Sequence, residues 1–480
     1  MHDVVIVGAG FGGLALAHAL KQDGNDDFVI LERGDGVGGT WRHNTYPGAA
    51  CDVPSHLYSL SFAPNPDWSR AYAGQPEILR YVEACYDRLD VRKHVQCDTE
   101  VVDARWDEHE LRWSVRTRDG KHWVARVLVS AIGTFHTPVT PALRGLDSFA
   151  GTIIHSAKWD HAHDLTGRDV AVIGTGASAI QIVPAVAATV GSLAVYQRTP
   201  AWIVPRIDPP YSDEQRQAFA DDPEVARTHR QQMHDALEQV TIFTKGDPTA
   251  ALIEKISRDL LASAVADPAL RAQLTPTYAI GCKRILVSSD FYPALQRENV
   301  ELVTDPIDAI TPTGVRTADG TERPADTIVM ATGFRAADYL CGIAVSGRGG
   351  RDLHDTWGGT PRAFHGIAVP GFPNLFLMYG PNTNQGGNSI LLMLEAQATF
   401  IAGAVRAIVD GDADVLDVQP AAMDRYGAEL EAALATTVWT GCTSYFRNSA
   451  GAIVTQLPHT TGWYRDQTST FPLADFRPHP

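Results

Sequence analysis

The sequence predicts an α/β fold of two Rossmann-like dinucleotide-binding domains, the second carrying a helical insertion, and three observations predict it. A glycine-rich turn, Gly8-Ala9-Gly10-Phe11-Gly12-Gly13, follows the apolar run at residues 4–7 and opens a helix-patterned segment at 14–20. A second turn, Gly174-Thr175-Gly176-Ala177-Ser178-Ala179, follows the apolar run 170–173 in the same way. Between roughly residues 205 and 276 the composition becomes charged and alanine-rich, as expected of surface helices. A strand before and a helix after each turn make it a phosphate-binding unit and not a loose cluster of glycines. Two such units suit two dinucleotides, one that stays and one that visits.

The elements follow in order. Residues 4–7, 14–20 and 28–31 read as strand, helix and strand, the last ending in Glu32. Residues 100–130 alternate apolar and polar side chains, the pattern of an antiparallel meander. Pro138, Pro141 and Gly145 punctuate a linker before the second unit, which runs from residue 170 to a strand at 193–197. Helices are expected at 222–240 and 259–270 within the insertion, and strands at 300–303 and 327–330. A final segment from Phe372 onward is expected to return to the first unit. The resulting limits are 1–140 with 342–480 for the first domain, 149–204 with 281–341 for the second, and 205–280 for the insertion. Residues 390–409 are long and apolar enough to raise a membrane span, but Glu395 and Arg406 fit one wetted face of an amphipathic helix, so no membrane insertion is expected.

At 480 residues the chain exceeds one hydrophobic core, which stops growing near ~250 to 300 residues. A net charge of -16 excludes nucleic acid and anionic membrane as partners, since both demand a basic surface. A small-molecule substrate is expected instead. The N-terminal 20 residues carry Asp3 and fingerprint glycines, so they do not read as a signal peptide, and a cytoplasmic location is the expectation. Six cysteines, at 51, 85, 97, 282, 341 and 442, form no CxxC pair and are expected to stay reduced. That disfavours disulfide reductases, whose chemistry needs a neighbouring dithiol. His161 and His163 lack companions at metal spacing, and no metal is expected. The sequence leaves the oligomeric state open.

In the first fingerprint Gly8 makes the tight turn, Gly10 lets backbone approach a pyrophosphate, and Gly13 lets helix and sheet pack closely. Glu32 stands where ribose hydroxyls of FAD or NAD would meet it. In the second fingerprint, Gly174, Gly176 and Ser178 form the turn, and the following strand ends in Arg198-Thr199. A guanidinium there pairs with a 2'-phosphate that an acid would repel, which favours NADPH over NADH. Lys283 and Arg284 precede an extended stretch and should point to opposite faces, although a solvated pair is the plainer reading of any isolated Lys-Arg. The loop from Gly38 to Asp52 is rich in permissive residues and could wrap a flat ring, or be merely a turn. Ser178 is outside any GxSxG elbow, which removes the hydrolase reading.

Taken together these residues resemble the class B flavoprotein monooxygenases and, within them, the type I Baeyer-Villiger monooxygenases. Phe149, Gly151, His155, Trp159 and Asp160 fit the family pattern FxGxxxHxxxW followed by Pro or Asp. Gly38, Gly39, Trp41, Tyr46, Pro47, Gly48 and Asp52 fit a second signature, GGxWxxxxYPGxxxD. Length and the short N-terminus resemble the subgroup labelled 4-hydroxyacetophenone monooxygenase-like. The resemblance implies FAD and NADPH as cofactors, O2 and a small apolar ketone as substrates, and a C4a-peroxyflavin that turns the ketone into an ester or lactone. It implies that Arg284 is the active-site arginine and Asp52 the carboxylate that holds it. It also implies cofactor contacts at Gly39, Trp41, Asp52, Tyr58 and Val101, and NADPH-phosphate contacts at Lys283, Arg198 and Thr199. Asn388, Ser389, Ile390 and Leu391 would form a substrate wall. His155 would sit on an interdomain linker and couple domain motion to NADPH. Departures from the pattern are Ala131-Ile132-Gly133, where relatives often have ATG, and Arg335 after Phe334. The competing readings are an N- or S-oxygenating flavin monooxygenase and a non-catalytic or peroxide-producing flavoprotein.

Overall fold

The computed structural model describes residues 1–238 and 242–479. Two separate, largely parallel sheets organise it. The first runs, edge to edge, through strands Ala344–Ser346, Val101–Asp107, Arg112–Thr117, His122–Ser130, His2–Val7, Phe28–Leu31 and Val95–Gln96, with Leu375–Leu377 also paired to His122–Ser130. His122–Ser130 has a double role. Its first half closes the expected antiparallel meander, Trp113 opposite Ala125, while its second half lies parallel to the first strand, Val5 opposite Leu128. The second sheet is wholly parallel, in the order Val300–Val303, Ser192–Tyr196, Asp169–Ile173, Thr327–Met330 and Thr152–His155. Strands buried on both faces read as continuous apolar runs, which is why Val4, Val5 and Ile6 are all fully buried.

Each sheet is followed by a helix that starts at its glycine turn, Phe11–Gln22 in the first unit and Ala179–Val186 in the second. The return to the first sheet begins earlier than Phe372. Ala344–Ser346 already adds a strand beside Val101–Asp107. Ile390–Val409 forms one helix over the full span expected, but it packs against Phe11–Gln22 inside the first unit, with Leu391, Met393, Phe400 and Ile401 fully buried. Its apolar character serves a core.

The insertion is helical, through Asp213–Asp221, Pro223–Glu238, Pro248–Ala264 and Pro268–Leu274. The single helix expected at 259–270 is instead broken at 265–267. Asp267 caps a new helix by accepting from Ala269 and Leu270 N–H, with Pro268 in its first turn, and these stop-and-start signals override the alanine-rich pattern. The helix expected at 222–240 begins at Pro223, and its last two residues lie outside the described residues.

The cysteine expectation is overturned. Cys282 and Cys442 are joined by a disulfide across 160 residues of sequence, with Cα atoms 6.1 Å apart. Linear spacing carries no signal for such a pair, because the fold alone brings the two segments together. The other four cysteines are free.

Candidate functional site

The first cradle is made by backbone. Gly8 has φ of +108°, and a Cβ on it would stand 2.6 Å from the Ala131 carbonyl oxygen. On Gly13 a Cβ would stand 2.3 Å from the Gly8 oxygen, so the helix begins closer to the strand than any side chain permits. Gly39, at φ +54°, packs on Gly10, where an added Cβ would lie 2.9 Å from its Cα. The helix Phe11–Gln22 has no side-chain cap and no acid in its first turn, leaving its N-terminal donors for a phosphate. Glu32, 6% exposed, holds the turn from below: Oε2 accepts from Ala9 N–H at 2.8 Å and Oε1 from Gly34 N–H at 2.7 Å. Trp41 Nε1 donates to the Tyr58 hydroxyl at 3.1 Å, and Tyr58 packs edge-on against Phe11. Burial pushes the Tyr58 phenol up, so it stays neutral. Val101 begins its strand 5% exposed, with its side chain in the core.

The second cradle repeats the geometry with different chemistry. Gly174 has φ of +113° and would place a Cβ 2.5 Å from the Ala331 oxygen, while a Cβ on Gly176 would meet open space. Thr199 lies behind the turn, its carbonyl accepting from Thr175 Oγ1 at 3.4 Å. Arg198 is exposed, and Lys283 Nζ lies 4.8 Å over the Tyr278 ring. Burial lowers the Lys283 pKa, and the neighbouring Arg198 charge lowers it further. Neither cation forms an ion pair with a carboxylate among the described residues. Two like charges held together without a counter-ion fit a dianionic phosphate, and both cradles therefore fit a dinucleotide.

Between the cradles the two units clasp each other. Gly48, at φ +80°, lets the 46–50 turn lie on the second nucleotide helix, where a Cβ would be 2.6 Å from the Gln181 oxygen. The Gln181 side chain accepts from Tyr46 Oη at 3.0 Å and donates to the Ala50 carbonyl at 3.0 Å, and Tyr46 also reaches Ser178. Two residues on, Asp52 Oδ2 accepts from Arg284 Nη2 at 2.5 Å and from Nε at 3.2 Å. These partners are 232 residues apart in sequence. The Arg284 side chain is 31% accessible and that of Asp52 25%, so the pair is half-buried in the cleft where the two units meet. Asp52 raises its pKa further above the ordinary arginine value, against the opposing effect of burial, and keeps it a permanent cation. Lys283 and Arg284 thus diverge to separate tasks, one toward Arg198 and one toward Asp52.

Two phenols also stand at this cleft. Tyr379 and Tyr445 both lie within electrostatic reach of Arg284, and burial raises both phenol pKa values. Each stands on a different segment from Asp52 and Arg284, so no local pattern marks them.

The fingerprint 149–160 lies on the edge of the second sheet. A Cβ on Gly151 would stand 2.2 Å from the Asp326 oxygen, which explains glycine there. Phe149 and Trp159 pack on the two sides of that sheet. His155 Nδ1 accepts from Ala157 N–H at 3.0 Å, and Nε2 lies 3.4 Å from Thr332 Oγ1. Burial holds its pKa below the ordinary histidine value, so the ring is a neutral strut between the strand and the linker at Val139. Asp160 caps a turn through Ala162 N–H at 2.9 Å. Neither His155 nor Asp160 bonds to Arg284.

Of the expected substrate wall, Ser389 and Leu391 are fully buried, Ser389 capping the core helix. Ile390 keeps partial exposure, and Asn388 Nδ2 donates to Glu238 of the insertion at 2.8 Å. A cavity of 600 Å³ beside His18, Glu395 and Arg406 contains none of these residues, so it is separate from the cleft. Among the described residues no three His, Cys, Asp or Glu converge as metal ligands.

Comparison with known proteins adds the context of relatives. A family model described as pyridine nucleotide-disulphide oxidoreductase matches residues 5–215. The chain is 44% identical over 478 residues to a Baeyer-Villiger monooxygenase of Streptomyces coelicolor, covering 99% of this chain and 92% of that one. It is 42% identical to a Baeyer-Villiger monooxygenase of Pseudomonas aeruginosa, covering 98% and 90%. Among solved structures, an oxidized steroid monooxygenase bound to NADP superposes with a TM-score of 0.87 at 33% identity, over 98% of this chain and 97% of that one. A closed cyclohexanone monooxygenase superposes with a TM-score of 0.90 at 29% identity, over 100% and 99%.

Proposed function

The chain belongs to the Baeyer-Villiger monooxygenases, and from that premise we propose that it inserts one oxygen atom beside the carbonyl of a small apolar ketone, with Arg284 and Asp52 at the reacting centre. It is an FAD-dependent monooxygenase that draws electrons from NADPH. The first cradle is read as the FAD site, through Gly8, Gly10, Gly13, Glu32, Gly39, Trp41 and Tyr58. The second is read as the NADPH site, through Gly174, Gly176, Ser178, Arg198, Thr199 and Lys283. The domain limits follow the same division, 1–140 with 342–480 around FAD and 149–204 with 281–341 around NADPH. A cytoplasmic location belongs to the same reading, and what supports it is that the one long apolar helix among the described residues is a core element.

Bound FAD, once reduced, supplies the redox chemistry that activates O2. The chain's own residues supply charge, orientation and dryness. Arg284 offers a fixed cation where negative charge gathers on the ketone oxygen as its carbonyl carbon is attacked. Its raised pKa makes it an electrostatic stabiliser and not a proton donor. Asp52 takes two N–H groups on one oxygen, which fixes the guanidinium plane and leaves its Nη1 edge without a partner among the described residues. Tyr379 and Tyr445 stay neutral and help keep bulk water from the cation. One carbon substituent then migrates from the carbonyl carbon to the inserted oxygen, giving an ester or lactone.

The observation that carries the reading is the Asp52–Arg284 pair, because it joins the two units at the wall of the cleft between the cradles. The test is anaerobic reduction by NADPH, then mixing with oxygenated buffer and a panel of ketones, thioethers and amines. Esters formed by the wild type and lost in Arg284→Ala are expected. Sulfoxides or N-oxides alone, unaffected by Arg284→Ala, would move the protein to the heteroatom-oxygenating class.

A further inference from the structure

Cys282 stands two residues before Arg284, and Cys442 three before Tyr445. Their disulfide therefore ties the turn that carries the cation to the strap that carries a phenol beside it. Non-covalent contacts run alongside the bridge. Trp439, 1% exposed, donates from Nε1 to the Gly281 carbonyl at 3.1 Å. Val438 N–H donates to the Phe243 carbonyl at 2.8 Å, and Arg447 folds back to donate from Nη2 to the Trp439 carbonyl at 2.9 Å. The strap ends at Tyr445, which is 46% exposed yet acts electrostatically on both Arg284 and Asp52. Beyond Tyr445 the chain is pinned again, Phe446 being 2% exposed with its carbonyl accepting from Val454 N–H at 3.0 Å, so the span between Trp439 and Phe446 hangs between two fixed ends with the bridge as its middle attachment.

We propose that the Cys282–Cys442 disulfide is a positioning crosslink for the oxygenation reaction, holding the Tyr445 strap over Arg284 and releasing it when a dithiol reduces the bridge. The inference rests on the assignment of Arg284 and Asp52 made above. Cys282 is fully buried while Cys442 is partly exposed between exposed Gly441 and Thr443, so a thiolate reaches the Cys442 sulfur. Attack there forms a mixed disulfide and expels the Cys282 sulfur as the leaving thiolate, which takes up a proton. The second thiol of the reductant then closes its own disulfide and releases the Cys442 thiol. Two electrons and two protons pass from the dithiol to the bridge. Disulfides in a reducing cytoplasm are characteristically redox-responsive, which suits a bridge placed at the site and not at the periphery.

With the strap released, Arg284 becomes more open to water than its present 31%, while Arg198 and Thr199, which carry NADPH contacts, belong to a different segment from the bridge. NADPH and O2 are then still consumed, but as NADP+ and hydrogen peroxide, without oxygen reaching the ketone. The signature is a loss of ester formed per NADPH while NADPH oxidation itself continues, restored on reoxidation, a split that a merely stabilising disulfide would not give.

The test uses the holoenzyme in three forms: air-oxidised, reduced with dithiothreitol and freed of it by anaerobic gel filtration, and Cys282→Ser/Cys442→Ser. Native alkylation and peptide mapping should find the 282 and 442 peptides linked in the first form and both thiols labelled in the second. Hydrogen exchange at 438–447 should rise on reduction, and ester per NADPH should fall several-fold and recover on reoxidation. The double variant should match the reduced enzyme and ignore dithiol; should it fail to fold, the reduced and reoxidised wild type still decide the matter. Two alkylated thiols in the air-oxidised enzyme, or unchanged coupling after reduction, would overturn the proposal. If Arg284→Ala forms ester at the wild-type rate, the reading of the site fails, whatever the bridge does. If Arg284→Ala abolishes ester while reduction changes nothing, only the crosslink proposal falls.

Discussion

Replacing Asp52 by Asn separates the charge of the carboxylate from its shape. Arg284 donates to one Asp52 oxygen at 2.5 and 3.2 Å, and the two side chains are 31% and 25% accessible. Unit charges about 4 Å apart interact by about 4 kcal/mol at an effective dielectric of 20, and partial exposure to water reduces that to about 2 kcal/mol. An amide retains one acceptor, so the guanidinium keeps a weaker bond and turns more freely. If half to all of that interaction is needed to hold Arg284 in its reactive orientation, the oxygenation rate falls roughly 5- to 30-fold, since about 1.4 kcal/mol corresponds to a tenfold change. Arg284→Ala, which removes the stabilising charge itself, should cost about 100- to 1000-fold, the usual loss for an oxyanion-type donor. Ester formation under saturating NADPH and ketone measures both. Asn at 52 within twofold of wild type would refute the argument that this carboxylate orients the cation, even if Arg284→Ala were inactive.

Four further outcomes follow from other parts of the molecule. Arg198→Ala and Lys283→Ala should each raise the KM for NADPH and narrow its advantage over NADH, and an unchanged preference in steady-state kinetics would remove them from phosphate binding. Gly13→Ala would place a methyl 2.3 Å from the Gly8 carbonyl and should destabilise the first cradle by roughly 1 to 3 kcal/mol; flavin content after purification reports it. Gly48→Val would combine a strained φ of +80° with a 2.6 Å approach to Gln181, and should lower both the melting temperature and the ester formed per NADPH. Burial, and secondarily His229, holds His56 down at about pH 4, so the unfolded chain binds its proton first and stability drains as pH falls from about 6.5 toward 4, by up to about 3 kcal/mol. Melting curves of wild type and His56→Phe between those limits should diverge on acidification, and parallel curves would show that His56 does not contribute.

What could be seen in the sequence was whatever repeats a local pattern. The glycine turns, their flanking strands and Glu32 declare themselves because tight phosphate cradles forbid side chains at fixed positions, and those prohibitions are approaches of 2.3 to 2.6 Å in the fold. The core helix 390–409 is legible from end to end, while the break before Asp267 is masked by the alanine-rich periodicity that runs across a capping aspartate followed by proline. Arg284 and Asp52 emerged from family resemblance, not from spacing, since 232 residues separate them. Tyr379, Tyr445 and the Cys282–Cys442 bridge had no local signature at all. Their proximity arises when the C-terminal segment returns to the first sheet and lays the loop 438–447 against the segment beside Arg284.

That return makes the cleft a product of two reciprocal contacts. The loop 46–52 leaves the first unit to lie on the helix of the second, through Gly48, Ala50 and Gln181. Arg284 leaves the second unit to meet the same loop at Asp52. Because one loop carries both contacts, a shift of the second nucleotide helix displaces Asp52 along with it, and the ion pair can persist through small movements of one unit on the other. The Cys282–Cys442 bridge adds a third attachment, from the segment beside Arg284 to the C-terminal strap. Charge, counter-charge and cover are thus carried by three chain segments, each fastened to another. The position of Arg284 is consequently governed by the relation between the two units more than by either fold alone, which is why residues remote from the cation, such as Gly48 and Cys442, should alter how faithfully NADPH oxidation yields ester.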